Sequence, residues 1–121
     1  MLIIAAALLV VAVPATALAS RSPNRSEKVQ LRKAVKSSKK APRFARKGNF
    51  KLVKAHISTK GPWASAVVLR TGGYTDPFKP PKAVLKHSGG SWKLVSYGSK
   101  AGCSKPRLSR SVRKDLKLRC S

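Results

Sequence analysis

From Phe50 onward the apolar residues of this chain recur at alternate positions, and breaks rich in Gly and Pro cut the pattern into four short runs. Strands place successive side chains on opposite faces, so the chain builds a sheet or leaves these runs in water. In Phe50-Lys51-Leu52-Val53-Lys54-Ala55-His56-Ile57, the set Val53, Ala55, Ile57 alternates with Leu52, Lys54, His56, which predicts a strand with one apolar face. After Gly61-Pro62, residues 63–70 (WASAVVLR) form a nearly uninterrupted apolar run. That run predicts a central strand, since nothing in it favours water on either face. Thr71-Gly72-Gly73 ends it, and a loop continues through Asp76-Pro77 to Pro80-Pro81. Residues 82–87 predict a third strand, Ser88-Gly89-Gly90-Ser91 a hairpin turn, and residues 92–97 a fourth strand stopped by Gly98.

Helical signals flank the strands. Asn24-Arg25-Ser26-Glu27 has the form of a capping box, with Asn24 as N-cap and Glu27 three residues on. Leu31, Ala34, Val35 and Ser38 follow at helical spacing, with Val29 close to the same face, predicting a helix over 25–38. Lys28, Arg32, Lys36 and Lys39 occupy the other face, and like charges at this spacing repel by some tenths of a kcal/mol each. Residues 41–49 contain Pro42 and Gly48 and read as a basic linker. Near the C-terminus, Ser109 or Ser111 precedes Val112 and Leu116, with Cys120 another turn along, so a short helix is expected there. The predicted fold is α+β: an antiparallel four-stranded meander covered on one face by helix, with an N-terminal and a short C-terminal helix.

The cysteines are Cys103 and Cys120, outside any CxxC spacing and without the His or acid neighbours of a zinc site. A structural disulfide is the expectation. It would close a loop of about 17 residues, worth roughly 3 kcal/mol in loop-closure terms. The second half resembles small secreted actinobacterial proteins of unassigned function. The resemblance rests on Trp63-Ala64, the stretch from Gly89-Gly90 through Trp92 to Tyr97-Gly98-Ser99, Cys103, and Leu118-Arg119-Cys120. It covers residues 50–121 and implies a sheet with a helix, loosely similar to cystatin-like or NTF2-like folds. It supplies no catalytic residue to carry over.

Charge bounds the function. The chain holds 27 Lys and Arg against three acids, Glu27, Asp76 and Asp115, for a net charge of +24. A domain so charged repels itself and attracts polyanions. Every one of those cations follows an apolar opening, MLIIAAALLVVAVPATALA. Its apolar stretch of about 12 residues is short of the roughly 20 a membrane span needs. Pro14 interrupts it, and Ala17-Leu18-Ala19 has the small-x-small form of a signal-peptidase site. The expectation is a signal peptide over 1–19, a basic helix and linker over 20–49, a β domain over 50–121, and a secreted protein. No Lys or Arg precedes the apolar core, and an uncleaved membrane anchor is the competing reading.

Catalytic chemistry has little to draw on. Histidine is the side chain whose unperturbed pKa lies nearest neutrality, and the chain has two, His56 and His87; facing each other beside Lys54 or Lys86, they would suit an RNase-like hydrolase as base and acid. The competing expectation makes both ordinary strand residues. The acids each have a structural role: Glu27 as a capping partner, Asp76 bonding the backbone of its Thr75-Asp76-Pro77 turn, and Asp115 paired with Arg119 four residues on. Neither a GxSxG motif nor a phosphate-cradling Gly-rich loop is present, and neither a metal nor a cofactor is predicted. Trp63 and Trp92 are expected in the core. Tyr74 and Phe78 are expected to be exposed, flanked by Lys79 and Lys82 where an aromatic and cationic contact to a ligand makes physical sense; the competing reading folds Phe78 back over the sheet edge.

The charge gathers in two clusters. Lys36, Lys39, Lys40, Arg43, Arg46, Lys47 and Lys51 form a belt over the helix end and linker, while Arg107, Arg110, Arg113, Lys114, Lys117 and Arg119 line the C-terminal segment. If the disulfide brings that segment near the first helix, the clusters merge into one surface. The leading expectation is a non-catalytic module that associates with anionic polymers or surfaces: wall polymer, polysaccharide, lipid headgroups, or nucleic acid without sequence specificity; the competing reading is charge that serves solubility, with no dedicated ligand. Membrane disruption is disfavoured, because no long amphipathic helix is predicted.

Overall fold

The computed structural model describes residues 20–104 and 106–120; the predicted signal peptide over 1–19 lies outside them. The elements follow the order α1 (Arg25–Lys36), α2 (Arg43–Arg46), β1 (Phe50–Ile57), β2 (Trp63–Arg70), β3 (Lys82–Ser88), β4 (Ser91–Gly98) and α3 (Arg110–Asp115). The strands form one antiparallel sheet in the order β1-β2-β3-β4, with one disulfide joining Cys103 to Cys120. The α+β fold class read from the sequence is the one observed. The central position expected for residues 63–70 holds as well: Ala64, Ser65, Ala66, Val67 and Val68 of β2 are all buried between β1 and β3.

Local chemistry explains the element ends. Asn24 Oδ1 accepts from Glu27 N at 2.8 Å and Glu27 Oε1 accepts from Asn24 N at 3.0 Å, completing the capping box. The β3–β4 turn is the two residues Gly89 and Gly90, both at positive φ, as the tight hairpin twist requires. Ser109 caps α3 by accepting from Val112 N. That helix ends a turn earlier than its apolar spacing suggests. Leu118 N returns to Arg113 O and Lys117 N to Lys114 O, a pairing that closes the helix around Lys117 at φ 58°. Cys120 therefore lies beyond α3, on a tail held by the disulfide.

The sheet is covered on both faces, not on one. Ala83 and Leu85 of β3 pack with Ala64, Val68 and Leu94 beneath α1, which contributes Leu31, Ala34 and Val35. Val84, between them in sequence and so on the other face, packs with Val112, Leu116 and Leu118 of the C-terminal segment and with Trp63. Ser65, directly opposite Val84, donates its hydroxyl to Leu116 O on that same side. Each fully buried Leu or Val here contributes about 1.5–3 kcal/mol, and the α1 side holds the larger core, twelve buried residues against six on the α3 side.

Several readings change in detail. The expected linker is part of the core: Ala41 and Ala45 are buried, Phe44 packs beside them, and the short α2 runs through it. Val29 turns to solvent, because the buried stripe of α1 is Leu31, Ala34 and Val35 alone. Arg32, expected on the solvent face, instead donates to Phe50 O and to Gly48 O at 2.9 Å and lays its guanidinium over the Phe50 ring at 4.3 Å. In β1 the alternation breaks at a bulge: Val53 faces Val67 but His56 faces Ser65, so one extra residue is inserted on β1. Leu52 and Ile57 thus share the α1 side, whereas the uninterrupted pattern sets them apart.

Candidate functional site

The sheet decides first which predicted residues can act together. His56 pairs with Ser65 and lies on the α3 side; His87 follows Leu85 by two positions on β3 and shares the α1 side. The two histidines stand on opposite faces with β2 between their strands, so they do not form an acid–base pair. His56 has Ser20 Oγ 3.5 Å from its Nδ1, and its pKa is held below the ordinary value, chiefly by burial and then by Lys117, with Asp115 pulling the other way. His87 rests against the Trp92 ring, centroid to centroid 5.0 Å. Trp63 and Trp92 are partly buried and pack on the cores of their respective faces, with Lys86 Nζ 5.3 Å from the Trp63 ring. Tyr74 and Phe78 are 80% and 91% exposed, as expected for that loop.

The three carboxylates are all engaged. Glu27 takes two 2.7 Å bonds from the Arg21 guanidinium besides its capping role, and these contacts hold its carboxyl at about 2. Asp76 accepts from Phe78 N and Lys79 N within its turn. Asp115 does not serve Arg119 as its spacing suggested; its Oδ2 accepts from Ser58 Oγ at 2.7 Å and Thr59 N at 2.9 Å, tying α3 to the β1–β2 turn. Among the described residues, no group of three or more His, Cys, Asp and Glu is placed to hold a metal ion, and no helix is long and apolar enough to cross a membrane.

The two basic clusters lie mainly on opposite sides of the sheet. The belt from Lys36 to Lys47 runs along α1 and α2 on one side and the α3 cluster lies on the other, while Lys51 of β1 and Lys117, one from each cluster, line a common hollow at the sheet edge. Within the belt, Arg43 and Lys47 line a cleft of about 450 Å³ together with Phe44, Asn49 and Arg70. Arg70 was not among the predicted residues; pairing at the far end of β2 brings it there, with its guanidinium 5.1 Å from the Phe44 ring. Lys40 is partly committed, donating from Nζ to Val95 O at 3.3 Å. On the other side, Arg110, Arg113, Lys114 and Arg119 line a cleft of about 490 Å³ beside Leu118 and Cys120. Arg113 Nε is buried there without a hydrogen-bond partner. Arg107 is exposed and donates to Cys103 O at 3.4 Å.

A third hollow, unforeseen in the sequence, follows the outer edge of β1. Arg21 bridges to Ile57 through two backbone bonds, and the chain then turns through Ser22 and Pro23 into α1. Between that segment, α1 and the bulged middle of β1 lies a half-open cavity of about 990 Å³. Leu52, Val53 and Ala55 are half-buried in its wall, and Lys28, Arg32, Lys51, Lys54 and Lys117 surround it. Lys117, counted from the sequence with the C-terminal cluster, thus belongs to this cavity. Lysine carries no sequence signal for a bulge, so the hollow was not legible.

No protein family, curated protein or solved structure that was compared matches this chain.

Proposed function

We propose that this chain is a non-catalytic, exported, strongly cationic module that associates with anionic polymers or surfaces through two basic faces. The observation that carries this reading is the imbalance of 27 cations against three carboxylates, each of those three already bonded within the fold. Almost all of the positive charge is consequently without an internal counter-ion. Crowded like charge on a folded scaffold lowers its free energy when a polyanion with its own condensed counterions comes alongside. One further feature supports the reading. The clefts at Arg43, Lys47 and Arg70 and at Arg110, Arg113 and Lys114 gather several cations around one small space.

Because the clefts at Arg43 and at Arg110 lie on opposite sides of the sheet, one molecule can touch two polymer strands at once. The partners that suit it are wall polymer, extracellular polysaccharide, lipid headgroups or released nucleic acid, recognised by charge rather than by sequence. The apolar opening segment and the disulfide support export. Elution from a heparin column tests the reading. Retention well above physiological salt is expected, reduced in an Arg43→Gln/Lys47→Gln variant and in an Arg110→Gln/Lys114→Gln variant. Elution at or below physiological salt, with no retention on duplex DNA or anionic vesicles, would sink it.

A further inference from the structure

We infer that the cavity along the outer edge of β1 binds a single amphiphilic anion, an acidic head group carrying an apolar chain. This goes beyond the polymer-binding faces and does not depend on them. At about 990 Å³ the cavity lies at the upper end of the range that holds small molecules. Its wall joins two chemistries. Leu52, Val53 and Ala55 offer a half-buried apolar surface, with the buried Leu31 and Phe50 behind it. Around that surface stand Lys28, Lys51, Lys54 and Lys117, and none of the chain's three carboxylates lines it. Arg32 is already bonded to Phe50 O and Gly48 O, so it fixes the wall more than it offers charge. A neutral apolar ligand would leave the ammonium groups without partners, and a small polar anion would leave the apolar wall wet. A ligand with both parts satisfies both.

A second, independent feature marks the same place. Among the described residues, the non-glycine positions at positive φ are Lys54 and Lys117, and both line this cavity. One sits in the β1 bulge and the other closes α3. Both are conformations that favour glycine, yet each carries a long cationic side chain to the same hollow. Backbone held in a sparsely populated region clusters at active sites, ligand clamps and switch regions, and bulges next to such sites re-aim side chains.

The same backbone gives a clean test. Lys54→Gly and Lys117→Gly remove the charges while suiting the local conformation, so the double variant is expected to fold with an unchanged or higher thermal midpoint. Laurate, titrated into the whole chain below its micelle concentration and followed by calorimetry, is expected to bind about tenfold or more tightly than either dodecanol or acetate, a factor that two head-group contacts would supply. The double glycine variant should lose about tenfold in laurate affinity, while removal of as much charge elsewhere, in Lys93→Gln/Lys100→Gln, should leave it within about twofold. Laurate binding no tighter than that of acetate or dodecanol would overturn the proposal, as would wild-type affinity in the double glycine variant. Heparin retention of the wild-type protein is read separately, so the two proposals fail independently.

Discussion

Ser58 donates its hydroxyl to Asp115 across 2.7 Å, joining residues 57 positions apart in sequence. Ser58 is buried at the end of β1, and the same carboxylate oxygen also accepts from Thr59 N at 2.9 Å. A single aspartate on a six-residue helix thus pins α3 against the β1–β2 turn. In a chain with so few acids, its role in positioning α3 outweighs anything its charge does for the surface.

Asp115→Ala should accordingly cost about 1–2 kcal/mol, since it removes the acceptor of the buried Ser58 hydroxyl and the tie between α3 and the β1–β2 turn. Arg119→Ala should cost well under 1 kcal/mol, as expected of an exposed surface position. Urea midpoints of the two variants distinguish this arrangement from an Asp115–Arg119 pair, for which the losses would be similar.

Acid stability is expected to depend on Glu27. Its carboxyl is lowered from 4.5 to about 2, first by the Arg21 guanidinium bonds and then by the Asn24 backbone. A lowered carboxylate contributes stability that is complete above the unfolded value and is lost as pH falls from about 4.5 through about 2. The Arg21 side chain is half exposed, so screening reduces the gain to about 1 kcal/mol. Glu27→Gln should flatten the stability profile over that window, and thermal midpoints between pH 2 and 5 would show it.

Gly102 sits at φ 84°, where an added Cβ would lie 2.8 Å from Leu118 Cδ1 and 3.4 Å from Leu108 Cδ1 and Val84 Cγ2. Gly102→Ala should therefore destabilise by roughly 2–4 kcal/mol, combining backbone strain with overpacking. Gly90, at φ 82° in the open hairpin turn, meets no atom within 4 Å. Gly90→Ala should show the backbone part alone, about 1–2 kcal/mol, and the difference in denaturation midpoints isolates the packing around Leu118.

Reduction of the Cys103–Cys120 bond, which spans 17 residues, should cost about 3 kcal/mol. The bond closes the tail over Leu116 and Leu118, which are buried against Val84. Amide exchange in residues 108–118 is expected to rise first on reduction, ahead of β2 and β3. An unchanged midpoint, with uniform exchange, would show that the bridge does not hold that segment.

The sequence by itself determined what short-range chemistry controls. The Asn24–Glu27 box, the Gly89-Gly90 turn, the buried run of β2 and the disulfide were legible because each depends on neighbouring residues or on composition. The tertiary structure alone decided how the parts share space. One inserted residue at Lys54 moved Leu52 and Ile57 to a common face and left a hollow beside them, and lysine gives no local signal for that backbone turn. Which side α3 covers is settled by Val84, Ser65 and Leu116 meeting across a sheet, not by the helix's own spacing. That choice sets most of the two basic clusters on opposite sides, with only Lys51 and Lys117 meeting at the edge of β1, and sends Asp115 to Ser58 rather than to Arg119. Periodicity tells a strand that it has two faces; only packing against distant segments tells it what will lie on each.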